Sequence, residues 1–94
     1  MTKAKPIDLQ ENQLHKIAFQ NADALPSKLK RNQRNKALIK AASMNLKSAC
    51  KITFESKYHG LLSITAPILM AGDAFVVLKG GKLIPKHSIV SVKH

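Results

Sequence analysis

The sequence predicts an α+β protein, with N-terminal helices followed by a small five-stranded antiparallel barrel. Three observations carry this. Apolar residues keep a helical spacing through the front half and switch to alternation or short blocks from Cys50 onward. Gly80-Gly81 separates two short apolar runs, as a tight hairpin requires. Asn, Asp, Pro and Ser in "NADALPS" break the front half into two segments. With 94 residues, one folded core is expected. The chain divides into a basic helical extension over 1–48 and a barrel over 49–94.

Asp8 followed by Glu11 has the spacing of a capping box, and Leu9, Leu14, Ile17 and Ala18 then follow a rough helical stripe. A helix over about 8–20 is expected. Pro26 excludes Leu25 from helical backbone and suits the first turn of a second helix. That helix is expected over about 27–46, with Leu38, Ala41, Ala42 and Met44 or Leu46 as its apolar stripe. Its first turns, "KRNQRNK", lack an apolar anchor, so they are expected to order only against a partner.

In the back half, "CKITFES" places Ile52 and Phe54 on one face, and "HGLLSITAPILMAG" is a longer strand that Pro67 should bend. "DAFVVLK", "KLIP" and "SIVSV" complete the five strands. The glycine pair is expected to take positive φ at both positions, in a two-residue turn that sets Lys79 opposite Lys82 and Val77 opposite Ile84. Pro85 should mark a strand end or an edge.

Sixteen Lys and Arg against five acids give a formal net charge of +11. Such a balance favours polyanions. Within the front half, "KLKRNQRNKALIK" carries Lys28, Lys30, Arg31, Arg34, Lys36 and Lys40 with no acid. Each cation that meets a phosphate releases condensed counterions, so this run suits a nucleic-acid backbone; a solvated helix face has the same composition.

Other classes find less support. The five acids are scattered without a local acid/base pair, and no glycine-rich phosphate loop precedes a helix, so no catalytic residue is assigned and the chain is read as a non-enzyme. The four histidines lack ligand spacing and the single Cys50 reads as a small core residue, so neither metal nor cofactor is expected. The lack of a long apolar run leads to the expectation of a soluble, unprocessed, cytoplasmic protein without membrane insertion. Aromatics are few, and Tyr58, beside Lys57 and His59, is the candidate stacking platform.

The succession "GDAFVVLKGGKLIPKHSIVSV" resembles the second half of the Sm-like fold, and the bacterial Hfq RNA chaperones more than the eukaryotic Sm proteins. The counterparts are Asp73 after a bent strand, Phe75 to Leu78, Leu83 to Pro85, Lys86-His87, and Ile89 and Val92 in a closing strand. The resemblance implies a strongly bent five-stranded sheet, ring assembly through strand edges, and RNA contact by Lys86 and His87. SH3-like and Tudor-like barrels share the meander. Pro85 stands where the family has an aromatic or aliphatic residue, and the glycine spacing of its second strand is not reproduced.

Together these readings give a non-catalytic nucleic-acid-binding module, an RNA-binding regulator or chaperone-like protein. Lys28, Lys30, Arg31, Arg34, Lys36 and Lys40 form its main surface, and Lys79, Lys82, Lys86, His87 and Tyr58 a second one. The rival reading is an adaptor that offers a barrel edge and the basic helix to an acidic protein partner. For His87, a turn residue bonded to a backbone carbonyl is the competing assignment.

Overall fold

The computed structural model describes residues 6–43 and 49–93. The α+β class holds, but the arrangement differs from a closed five-stranded barrel. Among the described residues there are one α-helix and seven strands, the strands lie in two sheets, and no ladder joins the sheets into a barrel.

Strand β1 (Ile7–Asp8) precedes a 3₁₀-helix (Glu11–Lys16) and helix α1 (Lys28–Ala42). Strands β2 (Cys50–Glu55), β3 (Leu61–Ala66), β4 (Ile68–Ala71), β5 (Phe75–Leu78) and β6 (Leu83–Pro85) come next, then a second 3₁₀-helix (Lys86–Ser88) and β7 (Ile89–Lys93). The first sheet runs β1-β3-β2-β7 and the second β4-β5-β6.

The helix expected over 8–20 is replaced by an extended pair and a short 3₁₀-helix. Ile7 and Asp8 pair in parallel with Leu62 and Ser63, and the Leu9 amide donates to the Ser63 carbonyl at 2.7 Å. Asp8 accepts from Ser63 Oγ at 2.6 Å, so the carboxylate taken for a helix cap is tied to β3. Tertiary pairing thus overrides a local cap signal. The apolar residues of that stretch are still used: Leu14 is buried, and Leu9 and Ile17 pack against the core.

Helix α1 forms from its first turn. Ser27 caps it, its Oγ accepting from the Lys30 amide, and Leu38 and Ala41 bury against β4 and β7. The helix therefore bridges the two sheets. Its expected end at 46 lies outside the described residues, as do Met44 and Leu46.

The strands fall close to where alternation puts them. Cys50, Ile52 and Phe54 point inward from β2 and meet Leu62, Ile64 and Ala66 of β3. Pro67 divides the long second strand into β3 and β4, one for each sheet, and its carbonyl accepts from the Lys79 amide at 3.0 Å. Pro85 ends β6, an edge strand.

The hairpin is one residue out of the expected register. Gly80 and Gly81 do take positive φ, +97° and +86°, but the Leu78 amide donates to the Lys82 carbonyl, so the loop holds Lys79, Gly80 and Gly81. Val76 pairs with Ile84 and Val77 with Leu83. Burial decides this: Val76 and Ile84 both lie in the core, and a one-residue slip would turn one of them to solvent.

An added Cβ at Gly80 would meet no atom within 4 Å, so substitution there tests the backbone alone. Gly80→Ala is expected to cost about 1–2 kcal/mol, the penalty of left-handed backbone. An unchanged urea midpoint would show that the loop relaxes without it.

Candidate nucleic-acid interface

The basic run of α1 divides into two groups once folded. Residues 28, 32, 36 and 40 recur at intervals of four and form one row along the helix, all exposed. Lys28, Lys36 and Lys40 stand in it beside Asn32, over ~18 Å of helix. Lys30 is also exposed, on the flank facing β7. No carboxylate pairs with these four lysines among the described residues.

The two arginines point elsewhere. Arg34, expected among the phosphate contacts, is buried at 7% exposure. Its Nη1 donates to Asp23 Oδ1 at 2.9 Å and to the Ile89 carbonyl at 3.2 Å, and its Nη2 to Asp23 Oδ2 at 3.2 Å. Nε donates to Asn35 Oδ1 at 3.1 Å. Such a guanidinium cannot meet a phosphate without giving up its internal partners, and it is removed from the candidate surface. Arg31 is half-exposed; its Nε donates to the Leu25 carbonyl at 2.6 Å and stands 3.6 Å from Asp23 Oδ2. The first turns are therefore anchored by arginines rather than by apolar side chains.

Burial by itself would raise the Asp23 pKa, but hydrogen bonds from Arg34 and the Leu25 amide and the charges of Arg34 and Arg31 outweigh it, holding the carboxyl below its ordinary value. In the sequence, Asp23 reads only as a residue of the break. The available signal is its isolation, since it is the only acid between Glu11 and Glu55.

The second group of expected contacts is dispersed. Lys79 is exposed in the β5–β6 loop, and Lys82 immediately precedes β6. Lys86 and His87 lie in the second 3₁₀-helix, half-buried, at a cleft shared with Asp23, Asn35 and Asp73. His87 Nε2 donates to the Gln20 carbonyl, and the His87 carbonyl accepts from the Ala24 amide at 2.8 Å. His87 thus holds the connector between the first 3₁₀-helix and α1, which favours the carbonyl-bonded assignment. Arg34 lines the cleft too, its charge already matched by Asp23, and Asp73 offsets that of Lys86, so the cleft is less suited to a phosphate.

Tyr58 is 71% exposed in the β2–β3 turn, with Lys57 Nζ 5.4 Å from its ring centroid. Ser56 Oγ closes that turn on the Gly60 carbonyl at 2.8 Å, so the ring sits on an ordered support. Cys50 is buried, and burial pushes its thiol pKa up, which suits a core residue rather than a nucleophile. Among the described residues no three His, Cys, Asp or Glu side chains are grouped to hold a metal ion, and no helix is long and apolar enough to cross a membrane. No family model, curated protein or solved structure matches the chain.

The Arg34 cluster sets two expected outcomes. Arg34→Met leaves the Asp23 carboxylate with Arg31 and the Leu25 amide, and the loss of three hydrogen bonds from a buried guanidinium is expected to cost about 2 kcal/mol in urea unfolding; Lys36→Ala should change stability by less than about 0.5 kcal/mol. Because folding lowers the Asp23 pKa, its contribution is full above the ordinary aspartate value near ~3.9 and is lost as pH falls through the lower folded value. Asp23→Asn should flatten the fall of stability in that acid range, and an unchanged acid profile would assign it to other groups.

Proposed function

We propose that this chain is a non-catalytic nucleic-acid-binding module whose principal contact is the outer face of α1. The observation that carries this reading is the exposed row of Lys28, Lys36 and Lys40, flanked by Lys30 and without a pairing carboxylate among the described residues. A nucleic-acid strand gains affinity from such a row through counterion release, without base readout. The arginines of the same run supply rigidity: they hold the helix on the sheets, so the lysines are presented on a preformed support.

RNA is the proposed ligand. Support comes from the Sm-like succession of strands: a bend at Pro67, a glycine hairpin, and a 3₁₀-helix before the closing strand. Tyr58 adds an exposed ring on which an unstacked base can lie. Lys79 is retained as a peripheral contact; Arg34 and His87 are not. A ring of several copies joined through their strand edges, as the Sm-like resemblance implies, belongs to the same proposal. Leu29 and Ile39, 66% and 61% exposed on the same helix face, favour the rival reading, an acidic protein docked on α1.

The test is anisotropy titration of a labelled single-stranded RNA at several salt concentrations. Replacing Lys28, Lys36 and Lys40 with Gln should lower affinity about tenfold or more and make the salt slope shallower by about 2, since each phosphate contact on a single strand contributes ~0.7. Wild-type affinity and slope in the triple variant would reject the α1 surface. Wild-type protein without salt-dependent binding would reject the nucleic-acid reading and leave the protein-docking one.

A further inference from the structure

The outward faces of the two sheets differ in a way that the nucleic-acid reading does not use. On the first sheet, the outward rows are polar: Lys51 lies between Thr65 and Lys93, and Thr53 between Ser63 and Ser91. Lys51, Thr65 and Lys93 are exposed there, while Ser63 is covered and bonded to Asp8 of β1. On the second sheet the corresponding rows are apolar throughout. Met70 pairs with Val77 and Val77 with Leu83, while Phe75 pairs with Pro85.

The side chains of these rows are open to solvent. Met70 is 56% exposed, Phe75 47% and Leu83 49%. An irregularity between Ile68 and Met70 enlarges the face, because Leu69, which takes no cross-strand partner there, is also 51% exposed. A regular strand would have turned one of two successive residues inward. The result is a contiguous patch of six apolar residues on three short strands, which is not the scatter of single apolar side chains found on most surfaces.

Charge and size select the occupant. Lys79, exposed in the β5–β6 loop, adjoins the patch at the hairpin end, on a chain whose formal net charge is +11. A second copy laid face to face on this patch, unlike one joined at a strand edge, would set two Lys79 side chains and two charges of +11 against each other. The six residues of the patch fall short of the ~20–30 per partner in a standard stable interface. A nucleic-acid backbone has no use for an apolar floor. We infer that the outward face of the β4-β5-β6 sheet is a docking site for a short amphipathic segment of another protein, whose large apolar side chains cover Met70, Phe75 and Leu83 and whose Asp or Glu residues meet Lys79 in the field of this basic chain.

The experiment selects short random peptides displayed on phage against the wild-type protein, then measures the enriched peptides by anisotropy on wild type and variants. Enriched peptides should combine large apolar residues with Asp or Glu. Met70→Asp and Leu83→Asp, on separate strands, should each weaken them about tenfold or more, and Lys79→Glu about threefold. Lys36→Glu should leave them unchanged. The inference is overturned if nothing is enriched over selection on Leu83→Asp, or if enriched peptides bind both Asp variants as well as wild type. A concentration-dependent dimer abolished by Leu83→Asp would assign the face to a second copy. Loss of RNA affinity in Leu83→Asp with no peptide enriched would assign it to nucleic acid, so failure here is separable from failure of the α1 reading.

Discussion

The pair between Arg34 and Asp23 joins three parts of the chain at one point. Asp23 belongs to the connector before α1, Arg34 to the middle of the helix, and the Ile89 carbonyl that shares its guanidinium to the start of β7. The pair is little exposed, and removing Asp23 strands the Arg34 charge away from water. Arg31 and the Leu25 amide complete the shell around the carboxylate, so its stabilisation does not rest on one contact. The pose of α1 across the two sheets depends on this cluster together with Leu38 and Ala41.

That constraint determines what the rest of the helix can do. A helix lacking acids and rich in cations repels itself, and its helical start is held by Ser27, Arg31 and Arg34 rather than by apolar burial. Once held, it turns its lysines outward on one row, where their charges add toward a single line of approach. The connector is secured independently at its other end, where His87 bonds the Gln20 carbonyl and accepts the Ala24 amide. Nucleic-acid contact through α1 and protein contact through the apolar sheet use different elements, and Lys79 is the one side chain that both proposals call on.

How much of this was legible in the sequence depends on the physics behind each feature. Strands β2 to β7 were readable because alternation, proline and paired glycines act locally: Ile52 and Phe54 face inward, Pro67 sets the bend, and Gly80 and Gly81 take positive φ. The helix predicted from Asp8 was misread because its cap was claimed by Ser63, fifty-five positions away, a contact that no local signal announces. The hairpin register needed knowledge of which side chains share the core, since either loop length suits two glycines. Among the candidate site residues, exposure of Lys28, Lys36 and Lys40 follows from helical period. The burial of Arg34 does not; an arginine in a polar run shows its role only when the lone acid nearby is folded onto it. The apolar outer face of the second sheet was hidden because a run such as "APILMAG" reads as core whichever way its side chains point.

The most direct test of the central claim, that the lysine row of α1 is the surface nucleic acid meets, is lysine footprinting: acetylation of the native protein with and without saturating single-stranded RNA, read by mass spectrometry. The account predicts protection of Lys28, Lys36 and Lys40, with Lys51 and Lys93 on the outer face of the first sheet modified as in the free protein. Protection spread evenly over all lysines, or confined to Lys79, Lys82 and Lys86 with α1 left reactive, would contradict it.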